Sequence, residues 1–156
     1  MQRGVDAEML VAQARALIDG ERDPIANSAN LSALLFMSLG ELNWAGIYLR
    51  RGENLVLGPF QGKPATARIA MGTGVCGRAA AERRTLVVPD VHVFPGHIAC
   101  DVDSRSEIVV PLIDGGDVLG VLDVDSPVED RFHEDERQLL EAFARVLVAG
   151  SDFRRS

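Results

Sequence analysis

Apolar residues recur at helical spacing at the two ends of the chain and at strand spacing between them. Leu10, Ala14, Leu17 and Ile18 form one stripe behind Asp6, which predicts a helix through Ile18 closed by Gly20. Asp23-Pro24 is a second start signal, because proline loses nothing at the first helical position. The helix it opens carries Leu31, Leu34, Leu35 and Leu39 and ends at Gly40. The period then shortens. Trp44 to Leu49 and Asn54 to Leu57 read as two strands joined by a turn at Arg51-Gly52-Glu53. Gly72-Thr73-Gly74 leads into a short alanine-rich helix, Val75 to Ala81, and Leu86 to Val88 is a strand stopped by Pro89. A long loop covers Asp90 to Ser106. A hairpin follows, with strands Glu107 to Ile113 and Val118 to Asp125 around Gly115-Gly116. Glu134 to Val148 is the last helix, with Leu139, Leu140, Phe143, Val146 and Leu147 on its buried stripe.

Adjacent strands joined by tight turns imply an antiparallel sheet. Helices at both ends then cover one face of it, which makes an α+β fold. The chain has 156 residues, a length that suits one core. The expected layout is a single domain over 1–156. Its helical N-terminus spans about 6–40, its sheet and site about 43–125, and its C-terminal helix about 134–148.

Charge narrows the partners. The net charge is −7, so most of the surface repels a polyanion and nucleic acid is not expected. No apolar run approaches the roughly 20 residues of a membrane span, and the N-terminus lacks the apolar block of a signal peptide. A reducing cytoplasm is the expected setting. The two cysteines, Cys76 and Cys100, are then candidates for burial, redox work or metal binding rather than a staple.

Cys100 lies in a polar loop, with His97 before it and Arg105 after it. Cations there favour the reactive thiolate. Cys76 falls at the start of the alanine-rich helix, where the dipole lowers a thiol pKa, but between Gly74 and Gly77 it also suits tight packing. A zinc set of Cys76, His92, His97 and Cys100 is conceivable. The two cysteines are far apart and form no Cys-x-x-Cys pair, so neither a metal nor another cofactor is expected.

Asp123 and Asp125 alternate along one strand and share a face. A three-residue turn (Gly115, Gly116, Asp117) puts Glu107 opposite Asp125 on that face, whereas a two-residue turn puts it on the other. For a generic antiparallel sheet this face would be solvated. Three like charges on one strand pair otherwise call for a ligand ammonium, or for one carboxyl that keeps its proton and serves as a general acid. Trp44 and Tyr48, the chain's only Trp and Tyr, share a face four residues apart. They form either a core tryptophan with a wet-edged tyrosine or an aromatic wall for a small apolar or sulfur-containing group.

Six segments together resemble the free methionine-(R)-sulfoxide reductases, enzymes on a GAF-domain fold. They are NWAGIYL (43–49), LGPFQGKPA (57–65), GTGVCG (72–77), DVHVFPGHIACD (90–101), SRSEIVVPL (104–112) and GVLDVDSP (120–127). The resemblance implies a GAF-like sheet with its N- and C-terminal helices on one face and a loop-rich active-site side. It implies that Cys100 attacks the sulfoxide sulfur and becomes a sulfenic acid. Glu107, Asp123 and Asp125 match the active-site carboxylates, one protonated and the others holding the ammonium. Trp44 and Tyr48 match the aromatic positions. A homodimer, with thioredoxin or another thiol as reductant, is implied too. Many members carry a further cysteine ten residues before that of GVCG. Thr66 stands there, which leaves Cys76 as the internal candidate for the resolving thiol, or else an external thiol. Two other readings of such a domain are a small-ligand sensor and a thiol redox switch without catalysis.

Overall fold

The computed structural model describes residues 6–96 and 103–154. Two helices open the chain. In α1 (Ala7–Ile18) the Asp6 carboxylate accepts the Met9 N–H, and in α2 (Pro24–Ser38) Asp23 accepts those of Ile25 and Ala26. Strands β1 (Trp44–Arg51), β2 (Asn54–Gly62) and β3 (Arg68–Ala70) follow. Next come α3 (Gly74–Glu82), β4 (Leu86–Val88) and a 3₁₀ turn (Val91–Val93). The hairpin β5 (Ser106–Asp114) and β6 (Asp117–Ser126) precedes the last helix, α4 (Glu134–Gly150).

The six strands form one antiparallel sheet in the order β3-β2-β1-β6-β5-β4. Helices α1, α2 and α4 cover one face, as the pattern implied. Ala45, Ile47 and Leu49 of β1, Ile108, Val110 and Leu112 of β5, and Leu122 and Val124 of β6 meet them there. The alternate residues do not face water. Trp44, Tyr48, Val109 and Val121 pack with Val75, Cys76, Ala79 and Ala80 of α3 in a second apolar cluster. The sheet is therefore buried on both faces, and the acidic residues of the hairpin lie inside.

Several sequence expectations need correcting. Leu17 is exposed, because the buried line of α1 runs along Leu10, Ala14 and Ile18. At 3.6 residues per turn that row drifts about 40° per step, which carries the contact away from Leu17. Strand β3 was missed: it has three residues, of which only Ile69 is buried, too few to show a period. The 3₁₀ turn interrupts what reads as continuous loop.

The hairpin turn has two residues, Gly115 and Gly116, both at positive φ, and it pairs Asp114 with Asp117. On that count alone Glu107 would face away from Asp125. A bulge restores the register: Ile113 pairs with Val118 but Leu112 with Gly120, so Leu119 is the extra residue. Beyond it Glu107 pairs directly with Asp125. The expected juxtaposition holds, through a bulge rather than a longer turn. The bulge abuts Gly120, where a side chain would collide with the Tyr48 carbonyl, so β1 and β6 close tightly.

The segment after β6 is tied back by Arg131. Its Nε and Nη2 donate to the Gly40 carbonyl at 3.2 and 2.9 Å, and its guanidinium faces buried Glu136 at 3.6 Å. Removing one partner of such a pair leaves an uncompensated charge, so the tie holds the end of α2 against the start of α4.

Candidate active site

Two neighbouring strands deliver the acidic floor, and a third sets Trp44 beside it. Glu107 of β5 sits opposite Asp125 of β6, and Asp125 sits opposite Trp44 of β1. Two residues along, Asp123 lies between Val109 and Gly46. All three carboxylates point to the α3 side of the sheet, where they are 5%, 1% and 4% exposed. A solvated sheet face is thereby ruled out for them. Burial pushes the Glu107 carboxyl well above its ordinary range, and the charges of Asp123 and Asp125 add to the shift. Glu107 also hydrogen-bonds both aspartates through its side chain. Among three crowded acids, a carboxyl raised in this way is the one suited to keep a proton.

Helix α3 brings Cys76 onto this floor. Gly77 permits the approach, since a Cβ there would lie 2.5 Å from the Ala70 carbonyl oxygen. The Cys76 sulfur and a carboxylate oxygen from each of Glu107 and Asp123 lie within 4.8 Å of one another. The thiol hydrogen-bonds Asp123. Sequence reasoning expected the helix start to lower its pKa. Instead burial drives it well above the ordinary thiol value, and Asp123, Glu107 and Asp125 reinforce the shift. Desolvation and three acids outweigh a helix dipole worth at most about 2 kcal/mol.

The wall is aromatic. Tyr48 and Trp44 lie with ring centroids 6.0 Å apart, and Trp44 stacks on Phe60 at 5.1 Å with 14° between planes. The Trp44 ring lies over Gly46, whose missing side chain gives it room. Both polar tips are satisfied. The Trp44 indole N–H donates to the Lys63 carbonyl at 3.0 Å, and the Tyr48 hydroxyl to the Thr66 carbonyl at 2.8 Å. The connector between β2 and β3 is thus fastened from beneath. Phe60 was missed in the sequence, although its place opposite Gly46 follows once the β1–β2 register is known.

Cys100, His97 and Asp101 lie outside the described residues, so the expected nucleophile is not placed by this geometry. Its flanks are placed. Ser104 accepts from the Asn43 amide at 3.0 Å, and Asp103 meets Lys63 at 3.4 Å. Arg105, read as a cation for the Cys100 thiolate, pairs with Glu129 at 2.7 Å and Asp90 at 3.7 Å. The zinc set is not assembled among the described residues, since His92 is exposed while Cys76 is buried. The donors that do converge are a thiol and two carboxylates. A raised carboxyl, two further acids, a flat apolar wall and a thiol can together bind an ammonium-bearing sulfur compound and protonate an oxygen leaving it.

A GAF domain model matches residues 25–149. The free methionine-R-sulfoxide reductase of Escherichia coli (strain K12) is 51% identical over 143 residues, covering 90% of this chain and 87% of that protein. Among solved structures, fRMsr of Staphylococcus aureus in complex with substrate is similar with a TM-score of 0.91 and 47% identity, covering 96% of this chain and 98% of that one. The free methionine-R-sulfoxide reductase of Neisseria meningitidis in complex with its substrate has a TM-score of 0.90 and 40% identity, over 96% of this chain and 93% of that one.

Proposed function

The chain belongs to the free methionine-(R)-sulfoxide reductase family of GAF-domain proteins, and on that premise we propose that it reduces free L-methionine-(R)-sulfoxide to L-methionine. The observation that carries this reading is the carboxyl trio buried beside an aromatic wall, with Glu107 raised well above its ordinary range. Glu107 holds the proton and acts as general acid. Asp123 and Asp125 accept the substrate's ammonium, and Trp44 and Tyr48 line the methyl-sulfur end.

Cys100 is the nucleophile. Its thiolate attacks the sulfoxide sulfur while Glu107 protonates the oxygen. The sulfur–oxygen bond breaks, methionine leaves, and the oxygen with its new proton ends on Cys100 as a sulfenic acid. Sulfur in the substrate is reduced by two electrons and Cys100 is oxidised by two. The trio is left one proton poorer.

That change prepares the next step. Cys76 is a poor thiolate beside a protonated trio, but its partner Asp123 can take the thiol proton once the trio has given one up. The thiolate then attacks the Cys100 sulfur, a disulfide forms, and hydroxide leaves as water after regaining a proton. A dithiol such as thioredoxin, in the cytoplasm, reduces the disulfide, and the thiol proton of Cys100 returns to the trio. With Thr66 where many members have a cysteine, Cys76 is the internal thiol for this role. A homodimer is part of the same reading.

The test supplies a mixture of the two sulfoxide epimers with excess dithiol. Methionine release should stop when the R epimer is gone. Consumption of the S epimer at a comparable rate, or of neither, contradicts the proposal.

A further inference from the structure

The substrate proposed above is a zwitterion, and its two charges need opposite partners. The trio serves the ammonium. The carboxylate, one carbon away, cannot lie over the same acidic floor, so a cation or N–H donor must stand at its rim. Lys63 is the chain's single lysine, in a protein with a net charge of −7.

Its backbone is fixed against the aromatic wall. Its carbonyl receives the indole N–H of Trp44, and Trp44 lies directly opposite Asp125 in the sheet. Its side chain crosses from the β2–β3 connector to Asp103, four residues before Glu107 in the chain. The ammonium of Lys63 therefore links the connector that Trp44 holds to the segment that leads into β5 and Glu107. The pair with Asp103 is 3.4 Å long, with the side chains 63% and 67% exposed. Such a pair is weak and readily exchanged. The arginines of this region have partners of their own. Arg105 meets Glu129 at 2.7 Å, and Arg78 meets Glu82 at 3.1 Å while covering the Phe94 ring.

We infer that Lys63 is the carboxylate-binding residue of the site, exchanging Asp103 for the α-carboxylate of the bound amino acid. This rests on the reductase reading and adds to it a basis for selecting a free α-amino acid at its carboxyl end. The connector then has a function besides closing the wall: the hydrogen bonds from Trp44 and Tyr48 hold the cation in place as well as satisfying the two rings.

The experiment compares free L-methionine-(R)-sulfoxide with its α-carboxamide, which keeps the ammonium and loses the negative charge. Wild type, Lys63→Met and Lys63→Arg are assayed on both. Lys63→Met should raise KM for the free acid about tenfold, the scale of one charge-assisted hydrogen bond, with kcat little changed. Lys63→Arg should recover part of that loss. On the carboxamide, wild type and Lys63→Met should have similar KM values. An equal loss on both compounds makes Lys63 a structural tie and overturns the inference, as does no loss on either. A wild type inactive on the free R epimer overturns the reductase reading itself, and this inference with it.

Discussion

A glutamate buried between two aspartates keeps its proton into a pH range where exposed glutamates have lost theirs, and Glu107 is in that position. The consequence for stability has a definite sign. Its folded-state pKa is raised, so the folded chain binds a proton that the unfolded chain releases. The contribution is complete below the ordinary glutamate range and is lost as pH rises toward the raised value. The slope reaches about 1.4 kcal/mol per pH unit where the two states differ by one proton. Urea midpoints measured from pH 5 upward should therefore fall in wild type, and the fall should be much smaller in Glu107→Gln. An unchanged slope in that variant would place the proton elsewhere. The same substitution removes a positioned general acid and should lower kcat by roughly 10²–10⁴. Asp123→Asn and Asp125→Asn should mainly raise KM, because they weaken the ammonium site. Near-wild-type kcat/KM in all three variants would make the floor structural. The arrangement of the three acids was partly legible in the sequence. The alternation of Asp123 and Asp125 was visible and a raised carboxyl was one reading of it, but which acid is raised was not, because that depends on burial by α3 and on cross-strand pairing.

On the proposed reading, element α3 supplies the thiol that closes the catalytic cycle. It carries Cys76 to the floor, where the thiol meets Asp123 and Glu107. Cys100→Ser should abolish even the first turnover. Cys76→Ser should still release about one methionine per site, because the first attack needs only Cys100. A disulfide requires the two Cα atoms to come within about 7 Å. Mass spectrometry after one equivalent of substrate reads the outcome. Loss of two hydrogens supports resolution by Cys76, whereas a stable gain of one oxygen on Cys100 excludes it. The aromatic wall is a second test of element geometry. Gly46→Ala would drive a methyl group into the Trp44 ring and Phe60, costing about 1–3 kcal/mol and raising KM through the displaced indole. Helices α1, α2 and α4 were legible because their apolar stripes and aspartate or proline starts are local signals. The register of the β5–β6 hairpin was not. It rests on one bulged residue, Leu119, and no local pattern distinguishes that bulge from a longer turn.

The whole molecule divides its labour between the two faces of one sheet. The helix-covered face carries most of the large apolar side chains, including Phe143 and Leu140 of α4, and supplies much of the hydrophobic stability. The α3 face uses glycines and alanines to seat a helix over charged groups and aromatic rings. Stability and chemistry should therefore separate. Phe143→Ala should cost about 3–5 kcal/mol and lower Tm, yet leave KM unchanged in the molecules that remain folded. An altered KM would mean that the two faces are mechanically linked. No helix among the described residues is long and apolar enough to cross a membrane. The central claim is that the buried acids recognise a free amino-acid sulfoxide, and kcat/KM on free L-methionine-(R)-sulfoxide and on its N-acetyl derivative tests it most directly. The acetyl group removes the ammonium and leaves the sulfoxide intact. The free compound should be turned over and the acetylated one should lose nearly all turnover, whereas comparable kcat/KM on the two would contradict the account.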